Sequence, residues 1–307
     1  MARLEIAIGK LRLRTPLIAV SGIFGIEYRQ LLPELRGIGG VVAKSVTLRP
    51  RTGNPEPKII ETPAGLLNSI GLQNPGIKGF LSEQLPNLRV LEVPIIVSVA
   101  GSNIAEYVRC CRMLADRDEI DAIELNLSCP NVETGLDFGS DPKALYRLVS
   151  RVRKAVPHQT LIAKLTPNIT DIALPAQAAV DAGVQAISLI NTLRAMAIDL
   201  QTARPKLGNK VGGLSGRAVH PVAVYMVYRC YTACCRKNDI PIIGMGGVCS
   251  GEDAIELILA GASAVGIGTA MFRDPAIFQK VAEGLRKYLE DQGKDKISDI
   301  VGLAARS

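Results

Sequence analysis

The sequence predicts an α/β chain closed into a (β/α)8 (TIM) barrel, with excursions over its carboxyl face. Three observations carry this expectation. Eight short, nearly continuous apolar runs recur along the chain, longer amphipathic stretches lie between them, and polar residues gather where the runs end. Apolar runs without alternation suit parallel strands buried on both faces. Eight strand–helix repeats in one chain favour a closed barrel over an open doubly wound sheet. At 307 residues the whole chain, 1–307, is expected to be one barrel domain.

The strands are predicted at Pro16–Val20, Gly40–Lys44, Pro94–Val99, Ala122–Asn126, Leu161–Leu165, Ala186–Asn191, Pro241–Met245 and Ala264–Ile267. Helical patterns between them include Asp141–Val156, Asp171–Ala182 and Gly251–Ala260. Asp141 before Pro142 makes a good helix start, as does Gly251 before Glu252 and Asp253. Two stretches break the repeat. Leu48–Asn74, rich in Pro, Gly and Arg, follows the second strand, and the Gly-rich Leu200–Val219 follows the sixth. Both are expected above the carboxyl face, where barrel enzymes build their sites.

Composition narrows the function. The net charge of +7 is spread along the chain, aromatics make up 4 % and Trp is absent, which speaks against a nucleic-acid binder. The amino end mixes charged and apolar residues and carries no secretory signal, and no apolar run approaches a membrane span. A soluble, cytoplasmic protein is expected. Seven cysteines, an odd number, argue against a disulfide framework. Cys230, Cys234 and Cys235 match no common zinc or iron–sulfur spacing and read as buried structural thiols. No set of metal ligands is apparent.

The polar residues at strand ends form the candidate site. They are Ser21 and Gly22 after strand one, Lys44 and Ser45 at strand two, Asn126–Asn131 after strand four and Lys164 in strand five. Asn191 and Thr192 follow Ile190 at strand six, Gly246 and Gly247 follow strand seven, and Gly268 and Thr269 follow strand eight. Burying so many polar groups is costly without partners, so a shared ligand explains the set. Glycines after strands seven and eight resemble the phosphate cradle of barrel enzymes, and GGLSG at 212–216 adds further backbone donors. No GxGxxG opens a first βα unit, so a nicotinamide site of Rossmann type is unsupported.

The segment Glu124-Leu-Asn-Leu-Ser-Cys-Pro-Asn131 sets a thiol between two amides. A nucleophilic Cys generally pairs with His, and the two histidines are poorly placed. His158 is expected on the amino side, and His220, in the second excursion, reads as solvated or structural. A thiolate base needs no His if its surroundings favour it, so Cys129 reads as a general base.

At these residues the chain resembles the catalytic subunit of class 1B dihydroorotate dehydrogenases over nearly its whole length. The resemblance rests on KSVTLRPRTGNPEPK (44–58), LLNSIGLQNPG (66–76), ELNLSCPN (124–131), FGSDP (138–142), KLTPN (164–168), INT (190–192), GGLSG (212–216) and IIGMGGV (242–248). A base of Cys rather than Ser points to class 1, and the GLQNPG and FGSDP strings to class 1B.

The resemblance implies FMN as cofactor and oxidation of dihydroorotate to orotate in pyrimidine biosynthesis. Cys129 would take the C5 proton as the C6 hydride passes to flavin N5. Asn68, Asn126, Asn131, Asn191 and Thr192 would bind the pyrimidine, with Lys44 and the backbone of Gly71 and Leu72 on its carboxylate. Lys164 would stand by the flavin N1–O2 edge. Ser21, Gly22, Lys44, Ser45, Asn126 and Ile190 would contact the flavin, and Gly216, Gly246, Gly247, Gly268 and Thr269 its ribityl–phosphate end. Val132–Gly139 would be a lid.

FAD and a [2Fe–2S] centre are expected on a partner subunit that passes electrons to NAD+, in a heterotetramer of two catalytic and two electron-transfer subunits. Arg217 and His220 give GRAVHP where the family commonly has GPAVKP, and ETGLDFG replaces a Gly-Gly form; both lie outside the reacting groups. Alternatives are a fumarate-linked class 1A enzyme, a dihydropyrimidine dehydrogenase-like enzyme, a flavin-free phosphate-binding barrel with Lys164 as a Schiff-base amine, and a non-catalytic scaffold.

Overall fold

The computed structural model describes residues 2–23, 35–128 and 138–306. Its centre is a closed barrel of eight parallel strands that pair in chain order. They are β1 (Leu17–Ala19), β2 (Gly40–Val46), β3 (Ile95–Val99), β4 (Ala122–Asn126), β5 (Thr160–Lys164), β6 (Ala186–Leu189), β7 (Ile242–Met245) and β8 (Ala264–Ile267). Closure is made by β8 on β1, with Val265 opposite Leu17 and Ile267 opposite Ala19. The predicted fold is therefore the observed one, and two strands, β4 and β8, fall at their predicted bounds.

The differences at strand ends have simple causes. Pro16, Pro94 and Pro241 precede their strands because they have no N–H for a ladder. Each still offers its carbonyl, to Val265, Val41 and Ile187 respectively. At β6 the strand stops at Leu189, and Ile190 and Asn191 turn away, keeping single bonds to Met245 O and Leu165 O. In β2 the register shifts between Ala43 and Val46. Such an irregularity re-aims side chains, and here both Lys44 and Ser45 reach the cavity above the barrel.

Helices pack outside the strands, each apolar face toward the barrel. Pro142–Ala155 is capped by Asp141, whose carboxylate accepts from the N–H groups of Lys143 and Ala144. In Gly251–Ala260 the cap is Ser250, one residue before the predicted start, accepting from Asp253 N–H. Its hydroxyl satisfies a donor that Gly251 could not. No helix among the described residues is long and apolar enough to cross a membrane.

The barrel interior is layered. Near the amino end, Ile18, Val42, Ile96, Ala122, Ile162, Ala186, Ile243 and Ala264 contribute one apolar side chain per strand. A hairpin of Ile6–Ile8 and Leu11–Leu13 seals this end, burying Ile8, Leu11 and Leu13 in the same cluster. Sequence reading assigned no element there. His158 is at this sealed end, its carbonyl accepting from Lys10 Nζ at 3.1 Å, on the amino side as expected.

The two excursions join over the opposite end. Ile59–Thr62, Gly65–Asn68, Gly212–Ser215 and Leu193–Ala195 form one antiparallel four-stranded sheet. Gly213 pairs with Asn68 and Ser215 with Leu66. The second excursion thus starts directly after β6, earlier than the predicted Leu200.

Shortening one plug side chain exposes the energetics of this arrangement. Leu11→Ala is expected to lower unfolding free energy by about 2–5 kcal/mol, the range for a fully buried leucine, measured by denaturant titration of the chain.

Candidate functional site

Strand alternation decides what faces the cavity. Two residues along from the apolar layer, the same faces of β3, β4, β5 and β6 present Ser98, Glu124, Lys164 and Ser188. The barrel interior therefore changes from apolar to polar in one step of the pleat. Above it is a cavity of about 650 Å³, within the range of sites that enclose small molecules.

At the floor, Lys164 Nζ lies 3.4 Å from Glu124 Oε1, and both side chains are almost wholly buried. Ser188 donates to Glu124 Oε2 at 2.8 Å. Sequence reading passed over Glu124 in favour of the amides beside it. The available signal was a carboxylate in the middle of a buried apolar strand, which requires a charge partner.

One wall is a chain of amides and hydroxyls. Ser45 and Ser98 are hydrogen-bonded at 3.0 Å, and Asn126 Nδ2 donates to Ser45 Oγ at 3.4 Å. Asn191 Nδ2 donates to Ser128 Oγ at 2.7 Å and to Asn126 Oδ1 at 3.3 Å. The carbonyl of Asn126 is fixed by Tyr107, whose hydroxyl donates to it at 2.6 Å. Thr192 N–H donates to Asn191 Oδ1 at 2.8 Å, so the asparagine's orientation is held from both ends. Ser128 is a member of this network that sequence reading named only as part of its motif.

The roof comes from the excursions. Asn68 Nδ2 donates to Gly213 O at 3.2 Å, tying one excursion to the other. Gly71 and Leu72 follow, both with positive φ (72° and 55°). For Leu this backbone is uncommon; it bends the segment so that both residues line the cavity. Asn54 supports the bend by donating to Ser69 Oγ at 2.8 Å.

The far end is lined by Ser21, Gly216 and the glycine turns after β7 and β8. Gly247 has φ 71°, and a Cβ there would come 2.8 Å from Gly216 O and 2.7 Å from His220 Cβ. Only glycine fits. Thr269 donates to Ser215 Oγ at 2.9 Å, joining the β8 turn to the roof sheet. His220 is buried rather than solvated. Its Nδ1 lies 2.8 Å from Gly246 O and its Nε2 2.9 Å from Glu256 Oε2. A carbonyl only accepts, so Nδ1 carries a proton, and the ring clasps the turn as a structural residue.

The cavity thus collects the described residues of the expected site: Lys44, Ser45, Asn68, Asn126, Lys164, Ile190, Asn191 and Thr192 as well as those of the roof and far end. Gly22 is beside it, where a Cβ would lie 3.9 Å from the Lys44 side chain. Cys129, Asn131 and residues 132–137 of the expected lid lie outside the described residues. Of the other cysteines, Cys249 lines the cavity at the β7 turn and the rest are buried away from it. Burial pushes the Cys110 thiol up to about 12, with Glu106 nearby adding to it. Burial likewise holds Cys230 well above the ordinary thiol range.

The family model described as dihydroorotate dehydrogenase matches residues 3–289. The chain belongs to the dihydroorotate dehydrogenase family. Among similar proteins, one from Desulforudis audaxviator is 48 % identical over 305 residues, covering 98 % of this chain and 97 % of the relative. One from Geotalea uraniireducens is 45 % identical over 302 residues, covering 97 % of each. One from Bacteroides fragilis is 45 % identical over 305 residues, covering 98 % and 99 %. All three are named dihydroorotate dehydrogenase B (NAD(+)), catalytic subunit.

The turn geometry yields a test independent of any ligand. Gly247→Ala is expected to destabilise the folded chain by about 1–3 kcal/mol, the usual cost of a strained backbone position, seen as a lowered denaturant midpoint.

Proposed function

We propose that this chain is the catalytic subunit of an NAD+-linked dihydroorotate dehydrogenase, oxidising dihydroorotate to orotate in pyrimidine biosynthesis. The observation that carries the reading is the convergence on one cavity of a buried lysine, three asparagine amides and two glycine turns. The full-length similarity to relatives named as NAD(+)-linked catalytic subunits supports it over a fumarate-linked or dihydropyrimidine-directed enzyme. Family membership speaks against the flavin-free barrel in which Lys164 would be a Schiff-base amine.

FMN fits the residues present. Glycine turns at Gly246–Gly247 and Gly268–Thr269, with Gly216, offer close backbone approach for a phosphate. Ser21, Gly22, Ser45 and Ile190 would flank the flavin ring, and Lys164 would face its N1–O2 edge. Bound FMN would supply the hydride acceptor.

The chain's own groups account for the rest. Asn68, Asn126 and Asn191, with Thr192 and Asn131, present amide donors and acceptors to the pyrimidine ring. Because Asn126, Asn191 and Thr192 are bonded to one another and Asn68 is tied to Gly213 O, their orientation is pre-set, and a ring with a different donor pattern would leave buried amides unpaired. Lys44, with the backbone at Gly71 and Leu72, would hold the substrate carboxylate. Lys164 supplies positive charge where reduction adds negative charge. Cys129 would take the proton from C5. The electrons pass to NAD+ through a partner subunit carrying FAD and a [2Fe–2S] centre, in an assembly of two catalytic and two electron-transfer subunits in the cytoplasm.

The purified chain is expected to show a visible flavin spectrum that bleaches on anaerobic addition of dihydroorotate; absence of a flavin band even with added FMN would refute the reading. Cys129→Ala is expected to keep its FMN but to reduce it about 10²–10⁴ more slowly, the range for a lost general base, in stopped-flow measurement of flavin bleaching.

A further inference from the structure

Glu124 has no part in the chemistry outlined above, yet burying its charge is costly. It is wholly buried, and its Oε1 has no hydrogen-bond partner. Its neighbours in the layer below are Ala, Val and Ile, and apolar side chains would fill this level too without removing two charges from water. The geometry instead holds the carboxylate in one pose. Ser188 fixes Oε2 at 2.8 Å, which turns Oε1 toward Lys164 Nζ at 3.4 Å. Lys164 in turn lines the cavity floor.

We infer that Glu124 is a positioning and tuning residue: a fixed counter-charge that partly cancels Lys164 and so keeps the flavin reduction potential low. This rests on the reading of the cavity as an FMN site. The physical argument is electrostatic. A lone buried cation beside the flavin favours the reduced, more negative form and raises its potential. A carboxylate held on the cation's far side opposes that effect, and low dielectric makes both contributions large. NAD+ is a weak oxidant, so electrons reach it only from a donor of low potential. A chain whose electrons go to NAD+ needs the cation for orientation and a counter-charge to prevent over-stabilisation of the reduced flavin. Glu124 supplies the second.

The experiment equilibrates the FMN-loaded chain with a reference redox dye and reads the flavin and dye spectra. Glu124→Gln keeps the shape and an acceptor for Ser188 but removes the charge. It is expected to shift the flavin–dye equilibrium about tenfold toward reduced flavin, which corresponds to about 30 mV for a two-electron couple. In a Lys164→Gln background the same substitution is expected to give a smaller shift, because only the carboxylate's direct field on the flavin remains and the part that acts through Lys164 is gone. If Glu124→Gln fails to fold, Glu124→Asp keeps the charge but withdraws it by one methylene, and a smaller shift in the same direction is expected. An unchanged equilibrium in a folded, flavin-bearing Gln or Asp variant overturns the inference. So does an equal shift with and without Lys164. A wild-type chain that takes up no FMN overturns the cofactor reading itself, before Glu124 is reached.

Discussion

A closed barrel removes every strand edge and leaves one obligation in return: its interior has to be filled along its whole length. Parallel strands buried on both faces leave little room for compromise, because any polar group placed inside loses water. This chain meets the obligation in two halves. The amino half is filled with one aliphatic side chain per strand and sealed by a hairpin from the amino-terminal segment. The carboxyl half is filled with groups that satisfy one another only in part. The cavity, its floor and its walls follow from where that change occurs.

The polar half has two chemically different ends. Around β2, β4 and β6 the side chains are amides and hydroxyls, cross-linked into a network from Ser98 to Thr192. Around β7 and β8 the side chains have been removed, leaving backbone close to the cavity. A flat heterocycle with alternating donors and acceptors suits the first end and an anion the second. The buried Glu124–Lys164 pair lies beneath the network, contributed by the adjacent strands β4 and β5. Both charges are anchored on strands, so their separation is set by the barrel itself rather than by a loop.

Much of this was readable from the sequence, and each exception has its own cause. Parallel strands announce themselves by unbroken apolar runs, so β4 and β8 fall at their predicted bounds. Polar residues at strand ends announced the cavity, and nearly all those that the structure describes do line it. The hairpin at Ile6–Leu13 went unnoticed although Ile6, Ile8, Leu11 and Leu13 alternate around Gly9 and Lys10, because each arm is only three residues long. The roof sheet was legible as two excursions but not as one sheet. Two of its strands, Gly65–Asn68 and Gly212–Ser215, carry glycines and do not alternate, and they pair with each other across a long stretch of chain. Glu124 was hidden by its company: a carboxylate between apolar residues is conspicuous, but the asparagines and cysteine that follow drew the chemistry to themselves.

The roof sheet also fixes when the chamber can exist. Asn68 and Gly213, which it joins, are 145 residues apart, and the barrel is closed only when β8 reaches β1. As the chain leaves the ribosome, the hairpin of Ile59–Thr62 and Gly65–Asn68 can form early, since its partners are neighbours. It then waits with one edge unpaired until residues 212–215 have been made. Loop closure over such a distance yields its contacts only late in folding. A half-synthesised chain therefore has no enclosed pocket with which to retain a ligand; the ability to bind arrives with the last quarter of the protein, together with the strands that complete the barrel.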